Sequence, residues 1–141
     1  MVRGVSGMGK SALVARFLDT VGDTVLVLAG RCYEREAVPF KALDGIADHL
    51  AGYLARQPAA TVAALLPRRP ALLGRLFPGL KRVEAIAAAD PVPDVPDPHD
   101  QRQRMFAALR ELFLRLAERG PLVWYIDDLQ WADADSAALL G

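Results

Sequence analysis

Two short segments of this 141-residue chain place reactive residue types at defined spacing. The first is Gly4-Val5-Ser6-Gly7-Met8-Gly9-Lys10-Ser11, which has the form Gly, any four residues, Gly-Lys-Ser. A polyphosphate needs many donors at short range. Backbone N–H groups supply them only where the chain curls tightly around the anion, and glycine permits that curl with no Cβ in the way. A helix opening near Lys10 would aim its first amides and its positive dipole end at the same charge. Lys10 would reach the β- and γ-phosphates, and the Ser11 hydroxyl would ligate Mg²⁺. The whole cradle then runs from Gly4 through Val5, Ser6, Gly7, Met8, Gly9, Lys10 and Ser11 to Ala12. By average residue usage the pattern arises by accident in roughly half a percent of chains this long. The amphipathic run that follows it decides against accident.

The second segment is Leu122-Val123-Trp124-Tyr125-Ile126-Asp127-Asp128, an apolar run that ends in two carboxylates. An acidic strand end is the natural partner of a phosphate loop. Asp127 would hold Mg²⁺ through water, opposite Ser11. Asp128 would orient or deprotonate an attacking water. Alone, the pair would read as turn-forming aspartates after a core strand. The upstream loop favours the metal role for Asp127 and leaves Asp128 evenly balanced.

These groups need elements to hold them, and the chain alternates strand and helix signals. From Lys10 to about Thr20, Leu13, Val14, Phe17 and Leu18 fall on one helical face, and Gly22 is placed to cap it. Thr24–Ala29 is a short aliphatic run of the kind buried on both faces in parallel sheets. Residues 39–54 are helical in pattern, and 55–89 are alanine-rich, broken by four prolines into short helices. Residues 90–98, DPVPDVPDP, form an extended loop. Asp97 then caps a helix with Pro98 at its first position and Asp100 at its third. In that helix Met105, Phe106, Leu109, Leu112, Phe113 and Leu116 share one face, and Gly120-Pro121 ends it. A last helix begins around residues 135–140.

Composition narrows the class. Lys+Arg and Asp+Glu are both 17, so the net charge is zero and no basic face advertises nucleic acid. Hydrophobic residues reach 52%, too many for a disordered chain. One cysteine, Cys32, excludes an internal disulfide and a cysteine zinc site, and its place after a strand suits a small core residue. The longest apolar runs fall far short of about 18 residues, so no membrane partner is expected. The opening Met-Val-Arg-Gly carries no secretory leader pattern. A cytoplasmic protein is the expectation. Arg31 and Glu34-Arg35-Glu36 read as a solvated turn, and the pairs Arg68-Arg69 and Lys81-Arg82 as solvated. His49 and His99 have no ligand spacing.

GVSGMGKSALV, GRCYEREAVPFKAL and IDDLQWADADSAALL together resemble the AAA-type ATPase domain of STAND signalling proteins. The resemblance covers essentially the whole chain. It implies an α/β, three-layer phosphate-loop NTPase fold with a parallel sheet, and ATP with Mg²⁺ as ligands. The implied activity is Mg-dependent ATP hydrolysis as a nucleotide switch in a larger signalling or transcription-regulatory protein. Carried over by position, Gly4, Gly9, Lys10 and Ser11 are the phosphate and magnesium group, and Asp127 and Asp128 the acidic pair. Gln130, Trp131 and Asp133 match the extension of that motif, where Trp131 more simply packs the sheet edge. The family continues past the acidic strand to a sensor strand, arginine sensors and a helical lid. The resemblance therefore implies an incomplete fold, truncated at both ends, with the remaining domains and self-association as its partners. Two alternatives stand beside this one: a non-catalytic nucleotide-binding or scaffolding module, and another phosphate-loop enzyme, a GTPase or a small-molecule kinase. A GTPase would show an Asn-Lys-x-Asp segment to read guanine, and none occurs.

Overall fold

A computed structural model describes residues 7–21, 25–32 and 41–131. Helix α1 is Lys10–Val21, strand β1 Leu26–Arg31 and helix α2 Lys41–Ala55. Three short helices follow, α3 Ala59–Leu65, α4 Ala71–Leu76 and α5 Glu84–Ala87, with a 3-10 turn Pro78–Arg82 between the last two. The long helix α6 spans Pro98–Arg119, and strand β2 spans Leu122–Asp127. The expected strand 1–3, loop positions Gly4, Val5 and Ser6, the Gly22 cap, the Glu34–Glu36 turn, Asp133 and the helix at 135–140 lie outside the described residues.

The two strands pair in parallel, with Leu26 opposite Leu122 and Arg31 opposite Asp127. This is the parallel α/β arrangement expected of the chain, as a two-stranded sheet among the described residues. Each strand runs further than its apolar pattern: β1 extends past Ala29 to Arg31, and β2 past Ile126 to Asp127. Parallel pairing explains the extension, because the ladder holds polar residues that hydrophobicity alone does not assign to a strand.

Alternation divides the sheet into two faces. Leu26, Leu28, Leu122, Trp124 and Ile126 join a core built with α2, α6 and the short helices between them. Leu50 and Leu112 are fully buried in it. The Phe113 ring meets Trp124 edge-on, with centroids 4.4 Å apart, which ties α6 to β2. The large core lies on this face; the described helix at the other face is α1, whose Ser11 reaches Asp127. That is why β2 is half-buried throughout rather than buried on both sides. It also explains α1, where no residue is fully buried and Leu13 and Phe17 are exposed despite their helical spacing.

Helix α6 starts as its sequence dictates. The Asp97 carboxylate accepts the His99 N–H at 2.9 Å, and Pro98 occupies the first helical position. Gly120 ends it in an extended conformation (φ 166°, ψ 177°) rather than as a left-handed cap. Cys32 is buried, as expected. No helix among the described residues is long and apolar enough to cross a membrane.

Helix α2 reaches the sheet through glycine. A Cβ on Gly45 would stand 2.9 Å from the Gly30 Cα and 3.1 Å from the Ala29 carbonyl oxygen. Both are backbone atoms of β1, so the helix itself would have to move. Gly52, on the same helix, has only the Arg56 guanidinium near, at 3.6 Å. Gly45→Ala is expected to destabilise the chain by roughly 1–3 kcal/mol in urea unfolding, as overpacking does. Gly52→Ala is expected to stabilise it by roughly 0.5–1 kcal/mol, since alanine is the better helix former.

Candidate active site

The loop that opens α1 needs backbone conformations that most residues avoid. Gly7 has φ 84° and Gly9 φ 75°, both left-handed. Among the described residues nothing lies within 4 Å of a Cβ at either position, so the demand they place on glycine is torsional, not steric. The helix then begins, with the Leu13 N–H donating to the Gly9 carbonyl at 2.9 Å. A helix start carries amides that no intrahelical carbonyl takes. Lys10, Ser11 and Ala12 sit there, after an exposed Met8.

The other half of the site comes from the end of β2. Alternation puts Asp127 on the sheet face away from the core, with Tyr125 two residues before it. The Ser11 hydroxyl donates to Asp127 Oδ2 at 3.0 Å, across 116 residues of sequence. The second oxygen, Oδ1, accepts the N–H of Asp128 at 3.1 Å. Thus the structure brings together the two residues that spacing alone singled out as metal-side partners. A hydroxyl and a carboxylate side by side form an all-oxygen donor set, which suits a small hard cation.

Asp128 is arranged differently from expectation. Its φ is 56°, in the left-handed region that Asp tolerates better than most side chains. The turn sends its carboxylate back toward β1. There Oδ2 accepts from Arg31 Nη2 at 3.1 Å and from Arg31 Nε at 3.3 Å. Arg31, read from sequence as part of a solvated turn, is therefore a component of the site. The available signal was its position at the carboxyl end of a parallel strand, where open α/β sheets bind ligands. Tyr125 was also missed. Burial pushes its phenol above the ordinary range. A hydrogen bond from Ser11 opposes that, while Asp127, by charge and by hydrogen bonding, and the Asp128 charge push the same way. Its signal was the two-residue spacing from Asp127.

Other candidates do not gather here. Trp131 follows the site in a short 3-10 turn and stays 45% exposed, rather than packed on the sheet edge. His49 and His99 are exposed, bonded locally to the Gly45 carbonyl and to Gln103. Arg82 is solvated as expected, 61% exposed, and pairs there with the equally exposed Asp48.

A glycine-turned loop on a helix start, joined through its serine to an acidic strand end, is an arrangement suited to a phosphate anion beside a small hard cation. The family model of the AAA ATPase domain matches residues 1–141. The chain belongs to the AAA ATPase domain family. Comparison with curated proteins and with solved structures yields no match. AAA membership supports the phosphate-loop fold and a function in nucleotide binding and hydrolysis.

The Arg31–Asp128 pair is half in water, with side chains 58% and 35% exposed. Screening keeps such pairs weak. A double-mutant cycle with Arg31→Ala and Asp128→Ala, read by urea unfolding, is expected to give a coupling below about 1 kcal/mol. The pair orients the carboxylate far more than it holds the fold together.

Proposed function

We propose that this AAA domain binds ATP with Mg²⁺ and hydrolyses it. In this reading the bound nucleotide acts as a switch in a larger signalling or transcription-regulating protein of the STAND type. The observation that carries the reading is the 3.0 Å contact between Ser11 and Asp127. It joins the element that would cradle phosphates to the element that would face the metal.

The residues present fit that ligand. The left-handed turns at Gly7 and Gly9 would wrap the β-phosphate, with the amides of Lys10, Ser11 and Ala12 directed at its oxygens. Lys10 would neutralise charge on the β- and γ-phosphates. Ser11 Oγ and the Asp127 carboxylate would hold Mg²⁺, the latter through water. The metal supplies charge neutralisation across the phosphate oxygens. The Ser11 hydroxyl has lone pairs to offer the cation besides the proton it gives Asp127, so it could ligate Mg²⁺ and keep that hydrogen bond. Asp128, one residue on, would orient the attacking water and accept its proton, while Arg31 fixes its carboxylate at the carboxyl end of the strands. Most of the acceleration would come from positioning and electrostatics, as in other phosphoryl transfers.

One observation favours a second reading, nucleotide binding without turnover. The Asp128 carboxylate is engaged by Arg31 through two nitrogens. If that engagement persists with nucleotide bound, the domain binds ATP and does not release phosphate.

Thermal unfolding with and without Mg-ATP tests the common part. Ligand at about 100 times its dissociation constant should stabilise the chain by roughly 2.7 kcal/mol. The shift should vanish in Lys10→Ala; an equal shift in that variant would remove the reading. Phosphate release then separates the two forms. Asp128→Asn keeps the left-handed preference and removes the base. It should lower kcat by at least about 100-fold with the thermal shift retained. Wild-type chain that shifts without measurable release would establish the binding-only form.

A further inference from the structure

Away from the nucleotide site, α5, the turn between α3 and α4, the extended segment at 90–95 and the first half of α6 enclose a groove of about 730 Å³. No described residue of the phosphate loop or of either strand lines it. The turn supplies Arg68 and Arg69, and α6 supplies Arg104. In sequence Arg104 lies far from the adjacent pair Arg68-Arg69; only the tertiary fold gathers the three. None of the three guanidinium groups has an ion-pair partner among the described residues. Of the two carboxylates on the groove, Asp94 is taken by Arg75 at 2.7 Å, which leaves Asp90 against three arginines.

Both walls are held in place. The Arg115 guanidinium donates to the carbonyls of Ala64 and Leu66 and to the Glu111 carboxylate, which anchors the chain just before the arginine turn. The Arg68 N–H also donates to Glu111 Oε2, at 3.4 Å. Opposite, Val92 is buried and secures the extended segment, whose prolines 91 and 93 stand exposed. The Val95 N–H donates to Gln101 Oε1 at 3.4 Å. Between these anchors, the N–H groups of Val92 and Asp94 donate to no described residue.

We propose that this groove is a docking surface for an acidic, extended stretch of polypeptide. Guanidinium forks match carboxylates in geometry as well as charge. A proline-stiffened wall has little conformational entropy left to lose. Its two main-chain donors, alternating with prolines, offer an added strand a place to pair. All three arginines are exposed, which fits a chain lying along the groove better than a small molecule enclosed by it.

The test uses a fluorescein-labelled decaglutamate peptide and fluorescence anisotropy on the 141-residue chain. Saturable binding that weakens with added salt is expected. Affinity should fall by at least about tenfold in Arg68→Ser/Arg69→Ser/Arg104→Ser. It should stay within about twofold in Arg16→Ser/Arg56→Ser/Arg119→Ser, which removes equal charge from exposed arginines elsewhere. Equal losses in both variants, or no saturable binding to the unaltered chain, would overturn the proposal. So would a labelled ten-residue oligothymidylate that binds more tightly than the peptide and shows the same groove dependence. A measurement on unaltered chain guards against a misfolded variant. On peptide addition, the amide resonances of Val92 and Asp94 should shift. Shifts confined to Lys10, Ser11 and Ala12 would place the peptide on the phosphate loop and refute the groove.

Discussion

The parallel pairing of β1 with β2 is the constraint from which the rest follows. Parallel neighbours cannot be joined by a tight turn, so the chain must travel back before the second strand begins. Here the return path includes α2 through α6, and every described helix of that path contributes to one core on one side of the sheet. The register also decides which residues meet at the carboxyl end. Arg31 lies opposite Asp127, and the Cys32 N–H continues the ladder to the Asp127 carbonyl at 3.0 Å. A shift of one residue would turn the core set Leu122, Trp124 and Ile126 outward and send Asp127 into the core.

The site is assembled where helix covering is sparse. The covered face carries large apolar side chains, whereas the open face carries Asp127, Tyr125 and the helix start at Lys10. The contacts there are weak one by one, with Ser11 and Arg31 both exposed. Their worth is geometric. They set the direction of two carboxylates.

Glycine does two unrelated jobs in this chain. At Gly7 and Gly9 it supplies left-handed torsions. At Gly45 it supplies contact, letting α2 lie against the backbone of Gly30 and Ala29. The first serves the ligand loop and the second fixes how closely the covering helix sits on the strand that carries Arg31.

Much of this was legible in the residues themselves. The GVSGMGKS spacing, the Asp97-Pro98 helix start, the apolar stripe of α6 and the carboxylates after LVWYI are local signals. Each depends on torsional preference or periodicity over a few residues, which no distant contact has to complete. What only the tertiary structure decided involves partners far apart in sequence. The bond between Ser11 and Asp127, the turn of Asp128 back onto Arg31, and the gathering of Arg68, Arg69 and Arg104 around one groove are of this kind. So is the exposure of Leu13 and Phe17, whose spacing marks a helix but not what covers it. Charge and hydrogen bonding act over a few ångströms of space, and a sequence reports distance along the chain, so these groupings exist only once the parallel ladder has closed.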